Sequence, residues 1–309
     1  MTKHNGSIEQ VRVWAALGIV CFHAQSGLPS IIGYAGLPAF AILSAFLLGD
    51  VRSAQGPRAV PLARFTERRA RRLLVPWAAW LAFYLVVDAS VVAIGLRPRD
   101  WLDFNPLFGT RIHLWYLPFV FFGLVGIRLA APALARLGRR GVIAVAAAAG
   151  VVAAVVVPGL PWITQLPLPA PQFLFAAPAL GYGVALAQIA TIDDRSTRQL
   201  AASGVGGLAI AAAVAAQVAH GDSWIPYGLA VPATFAAALA PTEVGPVART
   251  LAPLTLGVYL VHPFVVGVIR TSGVMARLGL PDETTFVWAF GVSLGAVALL
   301  RRTPLRFAT

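Results

Sequence analysis

The chain of 309 residues is 58% hydrophobic and only 12% charged, with a mean hydropathy of +0.77. Soluble domains carry roughly twice that share of charged residues, so the composition excludes an ordinary soluble protein and predicts a polytopic membrane protein. The net charge of +12 does not call for a nucleic-acid partner, and none is expected, because cytoplasmic loops of membrane proteins accumulate Lys and Arg.

Apolar runs of membrane-spanning length recur along the whole chain, a helical span needing about 20 such residues. They predict an all-α bundle of about ten transmembrane helices, forming one integral membrane domain over residues 1–309. The ten predicted segments are 11–28, 31–49, 73–95, 113–130, 142–157, 172–190, 199–218, 223–240, 250–270 and 284–300.

The basic residues alternate between the two ends of these segments. With the N-terminus placed in the cytoplasm, the inner side holds 19 of the 24 Lys and Arg residues. The outer side keeps Arg97, Arg99, Arg111, Arg270 and Arg277. Because positive residues collect on the cytoplasmic side, both termini are predicted to be cytoplasmic and the number of spans even. We expect a multi-pass protein of the cell membrane.

The first segment carries Arg12 near its start and His23 further along. Eleven residues make about three helical turns, so the two side chains share a face on the order of 16 Å apart along the axis. An ionisable residue inside a span usually marks a pathway or a site, and a neutral imidazole suits general-base work. The plainer alternatives are a histidine bonded to a neighbouring helix and an arginine that snorkels to the interface.

Four arginines, Arg68, Arg69, Arg71 and Arg72, stand immediately before the third segment. Guanidinium groups bind phosphate well, and a phosphorylated ligand arriving from the cytoplasm would meet this cluster first. The same cluster is also what the positive-inside rule produces. Sequence physics alone does not separate the two explanations.

Further candidates lie later in the chain. His113 and Trp115 stand at the outer end of the fourth segment, where interfacial aromatic residues are ordinary. Tyr259 and His262, in the ninth, share a face at a spacing of three residues. Asp88, in the third, either orients a histidine, pairs with an arginine or lies exposed at the interface. Since no Cys/His cluster has the spacing of a metal site, no metal is expected.

Five segments, in chain order, resemble motifs of the membrane-bound acyltransferase 3 family, whose members acylate sugars, peptidoglycan and some small natural products. The family motifs, with the residues that resemble them, are R-x10-H on Arg12 and His23, PxFFxLSGFLL on 38–48, RRLLRLLPPY on 68–77 with its R-x-x-R on Arg69 and Arg72, HLWYL on 113–117 and GVYLVHP on 257–263. Three positions depart from them: Ala41 stands for a phenylalanine, Ala45 for a glycine and Val75 for a proline.

The resemblance implies an acyl-CoA-dependent O-acyltransferase, with acetyl-CoA as the expected donor and membrane lipids around it. The implied acceptor is a hydroxyl or an amine, and we expect a hydroxyl of a carbohydrate or of another extracytoplasmic or lipid-linked molecule. Direct transfer and a transient acyl-enzyme are both open. The implied site residues are His23 and Arg12 for catalysis, Arg68, Arg69 and Arg72 for the phosphates of CoA, and His113, Trp115, Tyr259 and His262 for the acceptor substrate.

Two other hypotheses use the same residues. A transporter or flippase of a glycolipid or small amphiphile would use the buried polar side chains as a pathway, although no internal repeat supports such a fold. A non-catalytic family member is the other. The intact pairs Arg12/His23 and Arg69/Arg72 argue against it.

Overall fold

The computed structural model of the protein is 81% helical. It describes residues 5–25, 30–51, 60–220 and 224–309. No β-strand occurs in these ranges, and the predicted all-α class is confirmed. Some residues used in the prediction lie outside the described part of the chain: Lys3, Arg52 and Arg58 of the charge count, residues 26–28 of the first segment and residue 223 of the eighth.

Ten principal helices form the bundle in the described part of the chain, and each overlaps one predicted segment. They are α1 (Gly6–Ala24), α2 (Gly36–Phe46), α3 (Leu62–Ala93), α4 (Tyr116–Ala135), α5 (Gly138–Val151), α6 (Ala170–Ile189), α7 (Arg195–His220), α8 (Ile225–Leu239), α9 (Thr255–Ser272) and α10 (Thr285–Leu300). The third begins at Leu62 rather than at residue 73, so the arginines placed before that segment lie within the helix.

Seven helical stretches of the described chain are long and apolar enough to cross a membrane. They contain α3, α4, α5, α6, α7, α9 and α10. Helices α2 and α8 are apolar but have 11 and 15 residues, and α1 carries the charged Glu9 and Arg12 within its 19 residues. The protein is therefore a multi-pass membrane protein, while the total of ten spans and the side on which the termini lie stay predictions.

Helix α1 begins and ends at residues suited to those positions. Asn5 is its N-cap: the side-chain oxygen accepts from Ser7 N at 3.0 Å, which satisfies one of the free N–H groups of the first turn. The amide nitrogen of Asn5 also donates to Ala237 O of α8 at 2.8 Å. At the other end Gln25 adopts a left-handed conformation with φ of 45°, which closes the helix one residue after Ala24.

Small residues let the helices around α1 approach closely. A Cβ on Gly36 of α2 would collide with the carbonyl of Ala15 in α1, and a Cβ on Gly183 of α6 with the carbonyl of Ile42 in α2. That added Cβ would also lie 2.7 Å from Ala45, the residue that stands where the family motif has a glycine. The glycine of α6 thus provides room for the extra methyl group, in line with small-residue packing between membrane helices.

Candidate active site

His262 is the fully buried histidine of α9, and its side chain turns back onto its own helix. It precedes Pro263, which has no N–H to donate to the carbonyl four residues earlier, that of Tyr259. The Nδ1 atom of His262 lies 2.8 Å from Tyr259 O and 3.2 Å from Val258 O. Because a carbonyl oxygen only accepts, Nδ1 carries the proton, and the neutral ring presents Nε2 as an acceptor.

His23 of α1 donates to that acceptor. Its Nδ1 lies 3.1 Å from His262 Nε2 and 3.0 Å from Ile19 O, one turn earlier in its own helix. The carbonyl of Ile19 can only accept, so Nδ1 of His23 also carries its proton. In neutral His23 the basic nitrogen is therefore Nε2. No residue in the described part of the chain forms a hydrogen bond with Nε2.

His113 completes a cluster of three imidazoles. Its ring centroid lies 6.4 Å from that of His23 and 5.8 Å from that of His262. The rings of Tyr84 and Tyr259 pack edge-on against it, and the hydroxyl of Tyr259 donates to the backbone oxygen of His113. The ring is 5% exposed, and its Nε2 has no partner among the described residues. Such an unpaired buried atom is costly, and it is available to a bound molecule.

Asp88 of α3 connects that helix to the turn before His113 by hydrogen bonds. Its Oδ2 accepts from Thr110 Oγ1 at 2.6 Å and from Arg111 Nε at 3.0 Å, and its Oδ1 accepts from Arg111 Nη2. The guanidinium of Arg111 also lies 5.7 Å from the centroid of the Tyr84 ring. Of the three predicted alternatives for Asp88, pairing with an arginine is the observed one, and the carboxylate is 2% exposed.

A cavity of about 350 Å³ extends from the arginine-bearing ends of α1 and α3 towards the cluster. We call it the inner cavity. Arg12, Arg69 and Arg72 line it at those ends, while Tyr116 and Tyr259 line it beside the histidines. Most of the remaining wall consists of leucine, valine and phenylalanine side chains of α2, α3, α4 and α9. A ligand that fits this cavity has an anionic part at one end and an apolar chain.

Tyr259 stands between the inner cavity and the histidines. Its ring lines the cavity and packs 6.0 Å from the ring of His262. None of the three histidines is among the described residues that line this cavity. The sequence interpretation grouped Tyr259 with the histidines on the acceptor side, whereas the structure places it in the wall of the arginine-bearing cavity.

Two other predicted site residues lie apart from the cluster. Arg68 is exposed and does not line the inner cavity. Trp115 is 4% exposed and packs at 5.7 Å against both Phe119 and Phe173. The roles predicted for these two in binding CoA and acceptor stay predictions.

A second cavity, of about 520 Å³, lies at the other end of α1. Ala24, which follows His23, lines it together with Arg270, Asp282 and Glu283. The guanidinium of Arg270 donates to the carbonyl of Ala24. We call it the outer cavity, since the charge pattern predicts this end to be extracytoplasmic. No group of three or more His, Cys, Asp or Glu side chains placed to hold a metal ion is found among the described residues.

The orientation of the histidines was not predicted from the sequence. The local signal was present in the dipeptide His262-Pro263, because a proline frees a carbonyl that the histidine before it can reach. The contact of His262 with His23 had no such signal, since the two residues are 239 positions apart.

Comparison with known proteins agrees with the motifs. The model of a family described as an acyltransferase domain matches residues 5–300, nearly the whole chain. No significant match was found among curated proteins or among solved structures. The match covers all ten helices, the three histidines and the arginines of the inner cavity. The chain therefore belongs to the acyltransferase 3 family.

Proposed function

We propose that this protein transfers an acyl group, expected to be acetyl, from cytoplasmic acyl-CoA to a hydroxyl of a carbohydrate or another extracytoplasmic or lipid-linked acceptor. The family match and the long apolar helices support a membrane acyltransferase. The donor, the acyl group and the acceptor are what we propose here. The observation that supports it most is the basic Nε2 of His23, with Nδ1 held by His262, close to a cavity that begins at three arginines.

His23 acts in this proposal as the general base. The acceptor oxygen attacks the thioester carbonyl carbon, and His23 Nε2 takes the hydroxyl proton. Collapse of the resulting oxyanion completes the ester and breaks the carbon–sulfur bond. The thiolate of CoA then takes the proton from the imidazolium, which returns His23 to its neutral form.

His262 serves as a positioning residue for that base. A hydrogen-bond acceptor for the Nδ1–H group fixes both the tautomer and the orientation of a catalytic imidazole, as the third residue of a catalytic triad does. Here His262 Nε2 supplies the acceptor at 3.1 Å. Its own tautomer is fixed by the carbonyl of Tyr259, which Pro263 leaves free.

His113 and Arg12 take different parts in the reaction. His113 Nε2, buried and unpartnered within the cluster, binds a polar group of the acceptor substrate and so holds the acceptor beside His23. Arg12 lies about three turns from His23, on the order of 16 Å along α1, too far to contact the reacting carbonyl. It lines the inner cavity with Arg69 and Arg72, so its role is to anchor the donor.

The shape of the inner cavity supports an acyl-CoA donor. Charge-assisted bonds from its arginines suit phosphate oxygens, and its apolar wall suits a pantetheine arm with its acyl end. The thioester passes the ring of Tyr259 to reach His23, so this ring turns aside when the donor binds. The acceptor approaches through the outer cavity on the opposite side of the cell membrane.

Transfer of label tests the proposed activity. Membranes containing the protein are given acetyl-CoA labelled in the acetyl group, with a cell-envelope extract as acceptor. We expect ester-linked label in the envelope fraction and stoichiometric release of CoA thiol. Membranes containing the variant His220→Ala, altered at a histidine of α7 outside the cluster, should behave like the wild type. Release of no thiol by well-folded wild-type protein would reject the acyl-CoA donor and favour transport.

A further inference from the structure

A third cavity, of about 1060 Å³, opens beside the inner cavity at the arginine-bearing end of the bundle. We call it the vestibule. Six arginines line it, against two glutamates, Glu9 and Glu243, among the described lining residues. The arginines are Arg12, Arg71, Arg72, Arg249, Arg301 and Arg306. They come from α1, α3, the helical turn before α9 and the segment after α10.

Two of the six already have a carboxylate partner. Arg12 pairs with Glu9, and Arg71 pairs with Glu67, each at 2.7 Å on its own helix. Among the described residues, no carboxylate forms an ion pair with any of the other four, which are Arg72, Arg249, Arg301 and Arg306. The vestibule therefore concentrates positive charge that the described part of the protein does not neutralise.

The positive-inside rule explains why arginines lie at this end, but it does not explain why they converge on one concave surface. The segment after α10 is held against α3 by Trp80, whose Nε1 donates to Ala308 O at 2.7 Å. This contact brings Arg301 and Arg306 to the vestibule rather than leaving them on a free tail. A concave surface lined by one sign of charge focuses the field and attracts an oppositely charged ligand.

The vestibule and the inner cavity are adjoining chambers. Arg12, Arg72 and Leu256 line both of them. A ligand with several phosphates and one long apolar arm would fill the vestibule with its phosphates and the inner cavity with its arm. The volume of the vestibule is of the size that holds nucleotide-sized ligands, roughly 300–1,000 Å³ for small-molecule sites.

We infer that the vestibule binds the diphosphate and the ribose phosphate of the donor nucleotide, and that Arg249, Arg301 and Arg306 are binding residues for these phosphates. The inference rests on the proposed function and extends the donor site to three arginines outside the sequence motifs. Guanidinium groups that reach the vestibule from different helices suit a ligand whose phosphates lie on both sides of a ribose. An anionic lipid headgroup offers the same phosphate chemistry, and the experiment separates the two sources.

Equilibrium binding to the purified full-length protein tests the inference. The protein is placed in nanodiscs of phosphatidylcholine alone or with phosphatidylglycerol, and the probes are acetyl-CoA and 3′,5′-ADP. The double variant Arg301→Gln/Arg306→Gln should bind both probes at least about tenfold more weakly in both lipids, as expected for losing one or more charge-assisted hydrogen bonds. The single variant Arg249→Gln should weaken binding in the same direction.

Arg302→Gln is the matched control, because Arg302 is exposed next to Arg301 but does not line the vestibule. It should bind both probes like the wild type. The wild-type affinity should also fall more steeply with salt than that of the double variant, since fewer charges meet the ligand in the variant. Monodisperse elution and an unchanged unfolding temperature show that the double variant is folded.

Three results would overturn the inference. The first is an unchanged Kd in the double variant, and the second is an equal loss of affinity in Arg302→Gln. The third is a loss of affinity in the double variant that occurs only when phosphatidylglycerol is present, which would assign the vestibule to lipid headgroups. Release of CoA thiol, measured on the same samples, keeps the two proposals apart. If the double variant binds the probes more weakly but the wild type releases no thiol, the vestibule binds the nucleotide and acyl transfer from CoA is rejected. If the double variant binds like the wild type and the wild type releases thiol normally, acyl transfer stands and the inference about the vestibule is rejected.

Discussion

Replacing His262 with phenylalanine keeps a ring in α9 but removes the acceptor for the Nδ1 proton of His23. That proton has two acceptors in the structure, His262 Nε2 at 3.1 Å and Ile19 O at 3.0 Å. The carbonyl of Ile19 survives the substitution, so His23 keeps its tautomer with one partner instead of two. We therefore expect His262→Phe to lower the rate without abolishing it.

The size of the effect follows from the bond that is lost. One neutral hydrogen bond contributes a net of about 0.5–1.5 kcal/mol, which corresponds to a rate lower by roughly 2- to 12-fold. Stability falls as well, because the buried carbonyl of Tyr259 loses the Nδ1 donor of His262 while Pro263 cannot replace it. An unsatisfied buried acceptor costs about 1–3 kcal/mol.

The assay is release of CoA thiol by purified protein in nanodiscs at saturating acetyl-CoA, with thermal unfolding recorded on the same sample. His262→Gln is the matched variant, since its amide oxygen can accept from His23 Nδ1. It should retain more activity than His262→Phe. A kcat of His262→Phe equal to that of the wild type would show that the hydrogen bond is irrelevant. A loss as complete as that of His23→Ala would show that His262 acts on the substrate and does not merely position the base.

Three further predictions concern the scaffold of the site. Pro263→Ala restores a backbone N–H that competes with the histidine for the Tyr259 carbonyl, so thermal unfolding should move upward while thiol release slows. Gly183→Ala drives a methyl group into a backbone carbonyl of α2 and should destabilise the protein by about 1–3 kcal/mol. Gly204→Ala, with open space around it inside α7, should not be destabilised, because alanine favours a helix more than glycine does. Asp88→Ala removes the buried carboxylate that accepts from Thr110 and Arg111 and should cost up to about 3 kcal/mol, less than for a fully buried pair because that arginine is 32% exposed. An unchanged unfolding temperature would show that these hydrogen bonds do not stabilise the fold.

The helices were predictable from the sequence because each apolar run dominates its own stretch of chain. All ten predicted segments overlap helices, including the short α2 and α8, although the predicted ends differ from the observed ones by several residues. The placement of Arg12 and His23 on one helix was equally accessible, since it depends only on helical spacing. The motifs also identified the family, which the match over residues 5–300 shows.

The arrangement of the site was not predictable in the same way, because it depends on packing between distant parts of the chain. His23 meets His262 only because α1 packs against α9. Arg249 and Arg301 look in sequence like any other positive-inside residues, and only their convergence on the vestibule distinguishes them. Tyr259 lies beside His262, as the three-residue spacing predicted, but its ring also lines the inner cavity, and that position depends on how the other helices pack around it.

The central claim, that His23 is the catalytic base, is tested most directly by the variant His23→Ala. Its kcat for thiol release and its Kd for acetyl-CoA are measured in the same preparation of folded protein. Loss of a general base predicts a kcat lower by roughly 10²- to 10⁴-fold, with a Kd close to that of the wild type because the donor's phosphates are bound about three turns away. An unchanged kcat, or a Kd that rises enough to account for the whole loss of activity, would contradict the assignment.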